Sequence, residues 1–257
     1  MRHQRVRRLP VLRRLQRDLQ VRVPAEEVVA ADEATAALLD LPEPTAVPVS
    51  PAMLLAALRR GGAVTARLLL PVPGDVRGLG AARGAFGADA LRAGQAVLLP
   101  DAELGVVPVR IADGILRWTV HRVAVGRGVE YGGLAEAEHA LRGAVREAAA
   151  TLSALDIARH RPEVRKEIAE TLASRPRPPW PAGTPGRVLR VLEQADEVAA
   201  ILAAAAGEAA DDGAVSAAEL AARSAALRPL AAAVRMARLA AVAEAVRALT
   251  DHRAEHH

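Results

Sequence analysis

Asp75 and Arg77 stand two residues apart in LLLPVPGDVRGLG, Leu68 to Gly80, where an apolar run empties into a glycine-rich loop. A carboxylate and a guanidinium on such a loop could orient a small molecule, and closely spaced glycines could bring main-chain amides up to a phosphate. The nucleotide-binding forms of that chemistry need more residues. A P-loop requires a lysine to reach the phosphates and a hydroxyl to reach magnesium, and GDVRGLG has neither. A dinucleotide turn requires G-x-G-x-x-G before a long helix. Here Arg83 takes the third glycine's place, and GADALRAG, which follows, is barely two helical turns. The loop therefore reads first as a turn solvated and capped by its charges, with Asp75 and Arg77 kept as candidate ligands for a small molecule.

A second concentration of chemistry is LDIARHRPEVR, which gathers Asp156, Arg159, His160 and Arg161 at a helix–helix junction. Asp156 and Arg159 are one turn apart and can pair along the helix, while Arg159 and Arg161 could grip an anion. Glu136 and His139 make one E-x-x-H on a helix; di-iron bundles use that element twice, and no second copy is present. The terminal HRAEHH, with His252, His256 and His257, reads as a free tail unable to fix metal geometry. With no cysteine, thiolate nucleophiles, disulfides and cysteine-ligated metals are excluded. Ser50, Ser153, Ser174, Ser216 and Ser224 lack a G-x-S-x-G setting, so no serine-hydrolase elbow is visible. No metal set and no cofactor motif is expected.

Charge singles out the N-terminus. Residues 1–22 hold eight arginines, among them Arg5, Arg7, Arg8, Arg13, Arg14 and Arg17, against the single acid Asp18. The chain's net +4 thus leaves the remaining residues slightly acidic. Such an arm suffices for a salt-sensitive contact with nucleic acid or another anion. Leu9, Leu12, Leu15 and Leu19 could equally dock it on the fold as a basic amphipathic helix. Only four aromatics, Phe86, Trp118, Tyr131 and Trp180, are present, too few for a base-stacking platform. All but one of the 34 basic residues are arginine, a sign of a GC-rich genome. Arginines interrupt every apolar run near the start, and no run approaches the length of a membrane span, so a cytoplasmic protein without a membrane span is expected.

The elements that must position these residues follow from periodicity. AEEVVAADEATAALLDL reads as a helix, and AMLLAALRR as another between Ser50-Pro51 and Gly61-Gly62. AVTARLLLPV, QAVLLP, LGVVPVRI and ILRWTVHRVAV read as strands, the last two joined by a hairpin at Asp113-Gly114. GLAEAEHALRGAVREAAATLSALD and RPEVRKEIAETLAS return to helix. The proline-rich SRPRPPWPAGTPG then reads as a linker to two alanine-rich helices. In that hairpin Ala195, Ala199, Ala231 and Ala241 are expected to face inward. Leu189, Ile201, Leu230 and Leu239 are expected on a second apolar face, because so small a seam needs another surface.

The expected fold is α+β: a small antiparallel or mixed sheet with packed helices, followed by an antiparallel alanine-rich helical hairpin. The expected division is an arm at 1–24, an α+β domain at 25–174, a linker at 175–186, a hairpin at 187–250 and a disordered tail at 251–257. LSALDIARHRPEV after a long helix, and LLLPVPGDVRGLG before a small sheet, resemble actinobacterial proteins of unknown function over most of the first 175 residues. That resemblance implies a GC-rich bacterial origin and no activity. The leading functional reading is a non-catalytic interaction or regulatory protein using helical surfaces, through a protein partner or self-association. The alternatives are a small-molecule binder or enzyme using Asp75, Arg77 and the Asp156 to Arg161 cluster, and an arginine-arm nucleic-acid binder.

Overall fold

The computed structural model describes residues 27–30, 46–47, 51–79, 84–112, 115–124, 132–154, 170, 180–211 and 217–255. The chain is α+β and divides into two compact units, Met1–Glu130 and Tyr131–His257.

The first unit is built on a sheet of strands β1 (Glu27–Ala30), β2 (Ala46–Val47), β3 (Arg67–Leu69), β4 (Ala96–Leu99), β5 (Leu104–Ala112) and β6 (Ile115–Arg122). Their order across the sheet is β2-β1-β6-β5-β4-β3. Strands β3 to β6 form an antiparallel meander, as their short Val/Leu-rich runs and intervening turn residues require. Ala112 pairs with Ile115, so only Asp113-Gly114 lies between the two long strands, at the expected hairpin. β1 adds parallel to β6, and β2 antiparallel to β1, which makes the sheet mixed.

β1 corrects the sequence reading, in which residues 25–41 were expected to be helical. Val28 and Val29 are β-branched, and β6 has an open edge; pairing Val29 with Trp118 satisfies that edge, so tertiary pairing outweighs the local helical pattern.

Both faces of the sheet are covered. Helix α1 (Pro51–Arg60) places Leu54 and Leu58 against Leu99, Leu104, Val106 and Val120. Helix α2 (Ala85–Ala93) places Phe86 and Ala90 against Ala96, Leu98, Val107 and Val123. α1 ends where the paired glycines predict: Gly61 N–H donates to Ala57 C=O, and Gly62 adopts φ 97°. Between α1 and β3, the Thr65 N–H and hydroxyl both donate to Asp101 Oδ2 at 2.7 Å. These two bonds hold the Asp101 carboxyl below its usual range. A carboxylate whose folded pKa is depressed contributes stability above its unfolded pKa and loses it as pH falls through the folded value. Asp101→Ala is expected to cost roughly 0.5–1 kcal/mol near neutrality, the pair being exposed, and this increment should vanish in urea titrations carried into strong acid.

The second unit contains α3 (Leu134–Ala154), α4 (Gly186–Asp211) and α5 (Ala217–Glu255). Their shared core joins Leu141 and Ala148 of α3, Val188, Val191, Ala195 and Val198 of α4, and Leu230, Val234, Ala237, Ala241 and Ala245 of α5. The three-four spacing within each helix is what draws them together. Asp196 pairs with Arg238, and Gly183, just before α4, lies near Leu249 and His252, so α4 and α5 run antiparallel.

Several expectations are revised here. Ala231 is exposed, and Leu230, expected on the second face, lies in the shared core, because the stripe steps from Leu227 to Leu230 to Val234. Leu239 is buried, whereas Ile201 is 44% exposed. α3 packs with the hairpin, and the chain divides at Glu130/Tyr131, well before the proline-rich segment where the linker was expected. The tail expected to be disordered from 251 is helical to Glu255, supported by the Arg247–Asp251 pair one turn apart and by His252 beside Gly183. No helix among the described residues is long and apolar enough to cross a membrane.

Candidate functional site

The loop that opened the sequence reading is a turn. Val72 N–H donates to Asp75 C=O at 3.2 Å and Asp75 N–H to Val72 C=O at 2.9 Å, closing a tight turn over Pro73-Gly74. Gly74 has φ 85°, the value that proline followed by glycine supplies in a type II turn. Arg77–Leu79 then forms a single 3-10 turn that delivers Leu79 into the core beneath α2. Asp75 and Arg77 thus sit together on one short connection. Asp156, Arg159, His160 and Arg161 fall outside the described residues, as do Arg5, Arg7, Arg8, Arg13, Arg14 and Arg17. Glu136 and His139 are both exposed on α3.

The most unusual polar group among the described residues of the first unit was not singled out by sequence. His121 of β6 is 6% exposed, and its Nε2 lies 3.3 Å from Asp89 Oδ2 on α2. Asp89 Oδ1 also accepts from Arg92 Nη1 at 2.8 Å, one turn along the helix. The Phe86 ring and the imidazole meet in an inclined, edge-type contact, with centroids 5.7 Å apart. Phe86 can approach the sheet so closely because Gly105, the cross-strand partner of His121, carries no side chain: a Cβ there would lie 2.3 Å from the ring. Chemically this is a buried imidazole beside a carboxylate and an aromatic ring. Its clearest effect is to tie α2 to the sheet, the imidazole of β6 lying against Asp89 and Phe86 of α2.

The signal for it lay in the alternation of β6, where Thr119 and His121 share a face with Arg117. That face reads as solvated from the strand alone, and only α2 on top of it makes His121 interior. Among the described residues no group of three or more His, Cys, Asp or Glu could hold a metal ion.

The second unit carries its polar chemistry between helices. Glu138 of α3 accepts from Arg187 of α4 through Nε at 3.0 Å and Nη2 at 2.8 Å, both on Oε2, and from Arg142 on Oε1. The Arg187 bonds, followed by the charges of Arg142, Arg187 and Arg190, hold the Glu138 carboxyl below its usual range. On α4's other flank, Asp196 pairs with Arg238 of α5. Glu138→Ala is expected to cost about 1 kcal/mol, because it unpairs two arginines on different helices, and thermal unfolding checks this.

Sheet and bundle correspond to two domains of one protein family. The chain belongs to the Rv1486c-like family: residues 11–131 match its N-terminal domain and residues 135–239 its C-terminal domain. The boundary between these matches falls within a few residues of the division of the structure at Glu130/Tyr131. Among individual relatives, the chain is 36% identical to the uncharacterized protein Rv1486c of Mycobacterium tuberculosis, over 85% of each chain. It is 33% identical to the uncharacterized protein MAV321 of Mycobacterium avium, over 85% of this chain and 86% of the relative. No solved structure matches the chain.

Proposed function

We propose that this is a non-catalytic interaction or regulatory protein of the bacterial cytoplasm, acting through the helical surface of its second unit. The observation that carries the reading is Ile201. It is 44% exposed on α4, although the adjacent Leu202 packs into the shared core. A large aliphatic side chain left outside an otherwise alanine-rich bundle supplies apolar area that a partner helix can bury at little steric cost. α5 adds length: at 1.5 Å per residue its 39 residues span roughly 58 Å, against about 31 Å for the 21 residues of α3. Quantitative affinity capture from an actinobacterial host, followed by mass spectrometry, tests the reading. A partner, or a second copy of the chain, should be retained by the full chain and depleted several-fold by Ile201→Asp. Equal retention by a folded Ile201→Asp variant would count against this surface.

A further inference from the structure

Resting on that interaction reading, we propose that Arg142, Arg187 and Arg190, held over Glu138, form the docking point for a short acidic polypeptide segment of the partner. Among the described residues one carboxylate here faces three guanidiniums, in a unit whose residues 131–257 hold 16 basic and 17 acidic side chains. The local excess of positive charge is therefore not a reflection of general basicity.

The geometry leaves that excess facing outward. The Glu138 side chain is 15% exposed, whereas those of Arg142 and Arg187 are each 52% exposed, so the carboxylate forms a floor beneath the arginines. Arg187 spends Nε and Nη2 on Glu138, and Arg142 spends Nη2. The Nη1 groups of both are not spent on it, and each guanidinium carries five N–H donors. Arginines already pinned by Glu138 lose less freedom when a second carboxylate arrives, the preorganisation that makes a fork of donors selective. Arg190 adds a third charge close by, its Nη1 3.7 Å from where a Cβ on Gly186 would lie.

The surroundings choose the partner's class. α4 continues from Arg190 to exposed Glu193 and Glu197, so along that helix the basic spot is bounded by acids. A polyanion whose phosphates run on along the helix would meet those acids, because nucleic-acid affinity needs a sustained row of cations. A short run of carboxylates fits within the spot.

The test is NMR of the arginine Nε–Hε signals in the full chain, titrated at low salt with oligo-glutamate, oligo-glutamine and a short DNA duplex. Oligo-glutamate should shift Arg142, Arg187 and Arg190 saturably, and oligo-glutamine should not. Arg190→Gln, which leaves the Arg142 and Arg187 bonds to Glu138 in place, should weaken oligo-glutamate binding about three- to fivefold, and adding Arg187→Gln should bring the loss to about tenfold or more. Shifts confined to arginines of residues 1–22, affinity indifferent to Arg190→Gln, or stronger shifts at the three arginines with the duplex would each overturn the proposal. If oligo-glutamate leaves these arginines unmoved while partner capture still depends on Ile201, the acidic docking point falls and the interaction reading stands.

Discussion

Gly105→Ala is expected to destabilise the first unit by about 2–3 kcal/mol, near the upper end for overpacking, and to lower its melting temperature by roughly 10 °C. The added Cβ would lie 2.3, 2.6 and 2.7 Å from Cε2, Cδ2 and Cζ of Phe86. The ring cannot easily yield, since it is buried beside His121 and among Leu98, Val107 and Val123. A double-mutant cycle identifies the cause. Phe86→Ala alone should cost about 3–5 kcal/mol through the cavity it leaves. In the Phe86→Ala background, Gly105→Ala should become nearly neutral, because the clash is gone. Additive costs would mean that the close approach of ring and strand is not what Gly105 permits.

The second large effect concerns which helices make a folding unit. A fragment spanning residues 184–250 should be poorly folded as a monomer, or folded only as an oligomer. One spanning residues 131–257 should unfold cooperatively. Much of the core that α4 and α5 supply is alanine, at Ala195, Ala237, Ala241 and Ala245 beside the larger Val188, Val191, Val198, Leu230 and Val234, and the alanines bury little area at roughly 25 cal/mol per Å². α3 contributes Leu141 and Ala148 to the same cluster, with Leu134 packed at its margin. Those three positions are seven apart and form a stripe that two alanine-rich helices cannot supply. Circular dichroism and sedimentation across a concentration series would decide. A stable, concentration-independent monomeric hairpin would show α3 to be dispensable.

These two cases also mark what the sequence could and could not disclose. The need of the hairpin for another surface was legible from its alanine content, and α3 itself from its amphipathic pattern. The pairing between them was not, because the proline-rich stretch of sequence between α3 and α4 reads as a domain linker, whereas the helices on its two sides share one core. The meander β3 to β6 was legible from strand-length apolar runs and the Asp-Gly turn. β1 was not, since four residues inside a helical pattern become a strand only when β6 offers an edge. His121 escaped notice for a related reason: alternation along β6 shows which residues share a face, but not that α2 covers it. The turn at Asp75 was read correctly from proline and glycine chemistry, which is local and needs no tertiary partner.

The central claim, that partners bind through the helical surface of the second unit, is tested most directly by site-specific photo-cross-linking in an actinobacterial host. A cross-linking amino acid replaces Ile201 on α4 in one strain and Val64, an exposed apolar residue of the first unit, in another. The account predicts a discrete intermolecular adduct from position 201, with a defined protein or a second copy of the chain, and none of comparable yield from position 64. Adducts from position 64 alone would place the interaction on the sheet-bearing unit and contradict the account.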